Sequence, residues 1–376
     1  MRSIATNGDD WFRLLHEAQM ELAWNFPSYV FGDNAHFGVA VTDGDGEVAA
    51  ASNPGTVASI QRTIDRALSI LGPIGPGETI LTNDPYSGGT VLKDHMAIEP
   101  LFSGGAHVGY IVVVAPFADT GGQYFGGWFG GASEIWQEGT RMTPARIRRN
   151  GIVVEDAANL LVLNSRVAEL ARANVRRMLA VIDGLAARVA DQLPEWGALC
   201  RDRIGDTAAQ FRERLAALPG HMIQTEASIP HSCTGRSLKV VLSARYDGEQ
   251  LHLDFTGSSE QGDGNQNATL STTLNAICLL LHASLGRQAY ANAGLLSAVS
   301  VSAPERSIVN AALPVAVGGS QYEPAAQIMS ALLEVAEPLW DDARRPKLPV
   351  RPQLAFSAVG CGGGDCSADR SAPLSA

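Results

Sequence analysis

The feature that most constrains this chain is a long helical stripe between two regions that alternate like β-strands. Within residues 167–192, apolar side chains recur at steps of four and three, so they fall on one face of an α-helix. They are Ala171, Val175, Met178, Ile182, Leu185 and Val189. On either side of this segment, apolar positions alternate around turns at 43–46 and 247–248, which is typical of hairpins. The chain is therefore predicted to hold two β-rich units with helices between them.

The remaining elements complete this division. Helices are predicted at 9–25, 57–71, 200–218, 272–285 and 325–336, and strands at 79–81, 108–114 and 299–301. We predict an α+β fold with multilayer mixed sheets, a central helical segment and two domains. The predicted parts are an N-terminal α+β domain at 1–165, the helical segment at 166–225, a second α+β domain at 226–340 and a poorly ordered tail at 341–376. The two central helices could form an arm for a partner subunit or a hairpin lying on their own domain.

Composition narrows the class of protein. The 28 basic and 39 acidic residues give a net charge of −11, which disfavours nucleic acid and anionic membranes as main partners. The one basic cluster, 141–149, is predicted to be a solvated loop or a partner contact. No stretch approaches the roughly 18 apolar residues of a membrane span. Five scattered cysteines and an N-terminus without an apolar run favour the cytoplasm.

A segment rich in polar residues and glycine, 82–94, is the strongest candidate for a site. Its candidate substrate-binding residues are Asn83, Asp84, Tyr86, Gly88 and Gly89. The glycine pair leaves room for a ligand against the backbone. Asp94 ends the segment and Asp119 follows the next strand. Two carboxylates at neighbouring strand ends could bind a cation or form an acid/base pair, or they could only cap turns.

The segment Asn83-Asp-Pro-Tyr-Ser-Gly-Gly-Thr resembles a signature of the B subunits of N-methylhydantoinase and of the matching half of 5-oxoprolinase. The large subunit of acetone carboxylase is similar there. The likeness continues in family order through 118–122, 133–141, 254–259, 266–268, 292–294 and 303–310, to Pro314. It covers roughly residues 10–340. By these motifs the chain is identified as a member of the hydantoinase B/oxoprolinase family.

The resemblance implies a division of labour between two subunits in a hetero-oligomer. An A-type partner would bind ATP and activate a small cyclic amide or carbonyl compound by phosphorylation. The B-type chain would complete the hydrolysis or carboxylation at a divalent metal such as Zn, Mn or Fe. In this chain Asp94 and Asp119 are the implied catalytic residues. The sequence has no Gly-x-x-x-x-Gly-Lys-[Ser/Thr] loop, so ATP is expected on the partner.

Two departures from the family pattern bear on the metal. Val91 and Phe117 occupy positions where the family has histidine. The site is therefore either rebuilt or lost. A rebuilt site would draw on Asp94, Asp119, His36 and His95. Three functions stay open: the B component of an ATP-dependent amidohydrolase, a subunit of a related carboxylase, and a non-catalytic scaffold.

Overall fold

The computed structural model describes residues 9–24, 37–229, 235, 237–286 and 289–340. Its larger sheet is antiparallel throughout, in the order β2-β1-β5-β4-β3-β6-β7. The strands are β1 (Gly38–Thr42), β2 (Val48–Ala51), β3 (Thr79–Thr82), β4 (Asp94–Ser103), β5 (Ala106–Pro116), β6 (Ala145–Arg149) and β7 (Ile152–Val153). The predicted tail, 341–376, lies outside the described residues.

The smaller sheet is mixed. Its order is β11-β10-β9-β8, with β10 and β11 parallel and the other pairs antiparallel. The strands are β8 (Ile223–Ile229), β9 (Leu238–Tyr246), β10 (Leu251–Asp254) and β11 (Val299–Ser302). The predicted α+β class with layered sheets and a central helical segment is confirmed.

Eight α-helices occur in the described residues. They are α1 (Asp9–Trp24), α2 (Val57–Leu71), α3 (Ile135–Glu138), α4 (Glu155–Val162), α5 (Ala168–Val189), α6 (Trp196–Leu215), α7 (Leu270–Leu285) and α8 (Pro324–Ala336). Among them, none is long and apolar enough to cross a membrane.

The large sheet is buried on both faces. Along β4 and β5, Ala97, Ile111 and Val113 face a core shared with α1 and α5. The alternate residues Ile98 and Val112 face a second core shared with α2. This alternation follows from the two-residue period of a strand, which sends neighbouring side chains to opposite faces. The smaller sheet has its own core with α7 and α8.

The central helices pack on the rest of the chain. All six stripe residues of α5 are buried in the core of the large sheet. The next helix, α6, contacts β2, β5 and the turn at 293–295. Both central helices therefore pack on this chain, α5 against the large sheet and α6 between that sheet and the turn at 293–295. The exact domain boundaries stay a prediction.

The interpretation of the basic cluster as a solvated loop was wrong for residues 145–149. Residues 145–149 form β6, which pairs with β3. The guanidinium of Arg146 lies 3.0 Å from Glu78, and that of Arg148 bonds Asp183 at 2.8 Å and also Glu99. Buried arginines persist in a sheet only where carboxylates offset the cost of desolvation. Those carboxylates come from distant parts of the chain, so the local sequence gave no sign of them.

The contact between β5 and α6 can be tested at Gly109. A Cβ atom there would lie 2.2 Å from the Thr42 carbonyl oxygen and 2.5 Å from Nε1 of Trp196. These two atoms form a buried hydrogen bond of 2.8 Å. Gly109→Ala is therefore expected to lower the free energy of unfolding by about 2–4 kcal/mol, measured by urea titration.

Gly184 supplies the matched control. It lies exposed within α5, and a Cβ atom there would meet nothing within 4 Å. Gly184→Ala is expected to raise the free energy of unfolding by about 0.5–1 kcal/mol, because alanine restricts the unfolded chain and favours helix. Equal stability of the two variants would contradict the packing described for Gly109.

Candidate functional site

A cavity of about 160 Å³ lies where the two halves of the chain meet. Its polar lining includes Asn53, Thr63, Asn83, Asp94, Asn275 and Gln321. Its apolar lining includes Met96, Val114, Ala276, Leu279, Ala325 and Met329. The walls come from α2, β4 and β5 of the first half and from α7 and α8 of the second. Cavities of this kind, largely apolar with a few convergent polar groups, are typical ligand sites.

Asp94 is the central acid of this cavity. It is the first residue of β4 and is buried. Its Oδ2 accepts hydrogen bonds from Thr90 Oγ1 at 2.8 Å and from Gln321 Nε2 at 2.6 Å. Gln321 belongs to the second half, so the carboxylate is held in place from both halves. The structure thus places the predicted Asp94 in the cavity.

The Asn83 side chain stabilises the turn at 83–90 by hydrogen bonds to backbone groups that lie outside the turn. Its Nδ2 donates to the carbonyl oxygens of Leu92 and Thr140, both at 2.9 Å, and its Oδ1 accepts from the Met142 amide at 2.7 Å. The amide is therefore used by the protein itself. Asn83 lines the cavity but shapes its wall rather than offering free polar atoms.

Asp84 has a similar local role. Its Oδ1 accepts from the Tyr86 amide at 3.0 Å and its Oδ2 accepts from Ser87 Oγ at 2.7 Å. It thereby caps the 3-10 turn Pro85–Ser87, which has the residue types that favour such turns. The Arg141 guanidinium lies 3.8 Å from the same carboxylate.

The glycine pair allows the turn to approach other elements closely. At Gly88, where φ is +99°, a Cβ atom would lie 2.5 Å from the Thr63 amide of α2. The carbonyl of Gly89 accepts from Thr269 Oγ1 at 3.0 Å, and the Tyr86 hydroxyl donates to the Val315 carbonyl. Gly89 lines the cavity, whereas Tyr86 and Gly88 do not. These residues fasten the turn to α2 and to the second half.

Asp119 lies outside the cavity wall. Its Oδ2 accepts from the Arg166 amide at 2.7 Å, and its Oδ1 accepts from Arg166 Nη1 and the Gly126 amide, both at 2.9 Å. Arg166 Nη2 also donates to the Gly122 carbonyl at 2.6 Å. This geometry organises the glycine-rich loop 121–127. A catalytic role for Asp119 stays a prediction.

His95 points away from Asp94. Because neighbouring residues of a strand face opposite sides, its ring lies in the core beside α5, stacked 3.7 Å from Phe117. Burial lowers the pKa of His95 to about 4. Val91 is buried as well, and His36 lies outside the described residues.

The predicted metal centre has no matching ligand set in the described part of the chain. No group of three His, Cys, Asp or Glu side chains there could hold a metal ion. Asp94, Asp119 and His95 are held in three different surroundings. The described residues therefore do not fit a Zn, Mn or Fe site built from them.

Glu138 is a buried acid that the sequence pattern did not single out. Its Oε2 accepts from the Val317 amide at 3.0 Å and its Oε1 accepts from the Gly318 amide at 2.7 Å. Burial raises the pKa of Glu138 to about 8, against the opposing effect of the two amides. Its one sequence signal was membership of the segment 133–141. Gln321 had no signal at all.

Comparison with known proteins decides the family. The family model described as hydantoinase B/oxoprolinase matches residues 16–346. The chain belongs to this family. The family predicted from the motifs at 83–90 and beyond is thereby confirmed.

Two curated relatives show how much of this family's length the chain represents. An uncharacterised protein of Methanocaldococcus jannaschii is 23% identical over 310 residues, covering 80% of this chain and 55% of that protein. The 5-oxoprolinase of Saccharomyces cerevisiae is 26% identical over 280 residues, covering 70% and 22%. The chain spans about half the length of the first and about a fifth of the second.

Two solved structures share this fold. The ATP-dependent caprolactamase of Pseudomonas jessenii has a TM-score of 0.80 at 21% identity, over 87% of this chain and 59% of that one. Over 93 residues, 25% of this chain and 16% of that one, the caprolactamase subunit beta is 34% identical. Acetone carboxylase has a TM-score of 0.75 at 15% identity, over 88% and 47%. The two structural likenesses show the fold.

The structural role of Asp119 in this hydantoinase B/oxoprolinase family member can be tested by removing its charge. Asp119→Asn removes the charge of a buried carboxylate that accepts from the Arg166 guanidinium and from backbone amides, and it replaces one acceptor by a donor. We expect a loss of about 2–4 kcal/mol in the free energy of unfolding, measured by urea titration. Asp206→Asn, at an exposed position of α6, should change it by less than about 0.5 kcal/mol. Wild-type stability in Asp119→Asn would contradict this role.

The raised pKa of Glu138 predicts a fall in stability with alkaline pH. The folded state holds the Glu138 proton up to about pH 8, whereas the unfolded state releases it near the ordinary value of 4.5. The stability that Glu138 contributes is therefore present at low pH and lost as pH rises through 8. Burial of His95 has the opposite effect on stability. Its folded pKa of about 4 lies below the ordinary value of 6.5, so the stability it contributes is present above pH 6.5 and is lost as pH falls through 4.

Of these two groups, only Glu138 makes the free energy of unfolding depend on pH between pH 6.5 and 8. The free energy of unfolding should fall there by up to about 1.4 kcal/mol per pH unit, the limit for one proton. Glu138→Gln should flatten that slope, while Glu213→Gln, exposed on α6, should keep it. The same slope in all three proteins, from denaturation series at fixed pH values, would rule Glu138 out as its source.

Proposed function

We propose that this chain is the B-type subunit of an ATP-dependent amidohydrolase complex that opens a small cyclic amide of the lactam, hydantoin or 5-oxoproline type. An A-type partner binds ATP and activates the substrate by phosphorylation, and the two subunits form a cytoplasmic hetero-oligomer. Family membership supports this proposal, together with relatives named 5-oxoprolinase and caprolactamase subunit beta. The absence of a Gly-x-x-x-x-Gly-Lys-[Ser/Thr] loop from the sequence supports placing ATP on the partner.

The observation that carries the proposal is the buried Asp94 carboxylate at the wall of a small cavity. Opening an activated cyclic amide requires water to attack the carbonyl carbon and a base to accept the proton of that water. Thr90 and Gln321 both bond one oxygen of Asp94, so the carboxylate is held in one orientation. Asp94 is therefore assigned as the general base, with Gln321 as its positioning residue.

The proposal is tested on the complex of this chain with its A-type partner, using ATP and a panel of five- to seven-membered cyclic amides. Asp94→Asn should lower ring opening by about 10²–10⁴-fold, the usual contribution of a general base, while the complex still assembles. Asp206→Asn is the matched control and should retain full activity. Ring opening at the wild-type rate in Asp94→Asn would remove Asp94 from the mechanism.

A scaffold function is the second candidate, and one observation favours it. Val91 and Phe117 stand at the positions of family histidines, and both are buried. A chain of this kind would hold a complex whose chemistry lies on other subunits. The scaffold function predicts that Asp94→Asn and the wild type support equal ring opening in an assembled complex. The same experiment therefore separates the two functions.

A further inference from the structure

The size of the cavity sets the size of its ligand. A cavity of about 150 Å³ holds one benzene-sized molecule. The present cavity, at about 160 Å³, therefore accommodates a single ring of five to seven atoms with little or no substituent. Met96, Leu279 and Met329 supply an apolar wall against which the hydrocarbon part of such a ring can pack.

The charge of the wall limits the ligand further. Asp84 and Asp94 are the charged side chains that line the cavity among the described residues, and both are acidic. The nearby cations do not line the cavity: Arg141 lies against Asp84, the Arg62 Nε donates to Ser271 Oγ at 3.1 Å, and the charge of Lys93 interacts with Asp94. A ligand carboxylate would lose water beside the buried Asp94, and like charges placed together there disfavour binding.

Two buried polar atoms of the wall indicate what the ligand carries instead. Because a carboxylate accepts only, the Gln321 Nε2 must face Asp94, which fixes the side-chain amide and leaves its Oε1 as an acceptor. This Oε1 atom is buried with no hydrogen-bond partner among the described residues, and so is the hydroxyl of Thr63. Both residues line the cavity. A ligand with one N–H donor and one carbonyl acceptor satisfies both.

We infer that the cavity selects an uncharged cyclic amide with a hydrocarbon ring and rejects analogues that bear a carboxylate. The Gln321 Oε1 accepts from the ring N–H, the Thr63 hydroxyl donates to the ring carbonyl, and Asp94 remains the base for water. This specificity rests on the proposed function and narrows its substrates. It separates unsubstituted lactams from 5-oxoproline, whose carboxylate is ionised at neutral pH.

The charge preference is measured with two ligands that share one ring. Calorimetric titration of the complex at pH 7.5 compares 5-oxoproline with its uncharged amide, and includes an unsubstituted six-membered lactam. We expect both uncharged ligands to bind about ten-fold or more tightly than the anion. Asp94→Asn removes the opposing charge and should bring the two 5-oxoproline derivatives to within about three-fold of each other.

The hydrogen-bond assignment is measured with a pair of isosteric variants. Thr63→Val removes a hydroxyl that has no partner in the described structure, so it should weaken the lactam about five-fold or more without loss of stability. Thr273→Val removes a buried hydroxyl outside the cavity that donates to the Val309 carbonyl. It should lower the thermal midpoint and leave lactam affinity unchanged.

The outcomes distinguish this inference from the function on which it rests. An anion bound as tightly as its amide, or a Thr63→Val variant with wild-type affinity, overturns the specificity while ring opening by the complex still supports the function. A complex that neither binds nor opens any cyclic amide overturns both. Tighter binding of the uncharged ligands, with the opposite effects of the two threonine variants, establishes the specificity.

Discussion

The site depends on the way the first half of the chain holds the segment 315–321 of the second half. The Tyr86 hydroxyl bonds the Val315 carbonyl, the Glu138 carboxylate accepts the amides of Val317 and Gly318, and Asp94 accepts from Gln321. These three contacts come from two segments of the first half, 82–94 and 133–141. They converge on one short stretch of backbone more than 170 residues away. The family motifs thus encode an interface between halves, and the cavity lies beside it.

Close packing makes this interface possible. Gly88 comes so near the α2 backbone that no side chain fits, and a Cβ atom at Gly318 would lie 2.6 Å from Glu138 Oε1. Glycines at such contacts allow backbone groups to replace side chains as hydrogen-bond partners. The same exclusion of water raises the pKa of Glu138 to about 8, although two amides favour its charged form. The close packing around Glu138 and its raised pKa therefore have one cause, the exclusion of water from this contact.

Local periodicity made most of the fold predictable. The stripe of α5 and the alternation around 247–248 indicate which face of each element is buried, because those faces repeat with the period of the element. Arg148 shows the limit of this reasoning. Three charges in five residues resemble a solvated loop, but β6 pairs with β3, and distant Glu99 and Asp183 offset the buried charge of Arg148. The site was predictable where motifs carry it, as at Asp94. Gln321 and Glu138 were not predicted, because their roles arise only from contacts made in the folded chain.

The strand period also explains why the predicted residues divide into separate roles. Asp94 and His95 are neighbours in sequence, yet β4 sends one to the cavity and the other to the core beside α5, where it stacks on Phe117. Asp119 follows β5, but Arg166 draws its carboxylate into the loop 121–127. An acid and a histidine adjacent in a strand cannot share one ligand unless the strand is distorted. The polar groups available to a ligand therefore come from both halves: Gln321, which the second half brings to Asp94, and the Thr63 hydroxyl of α2.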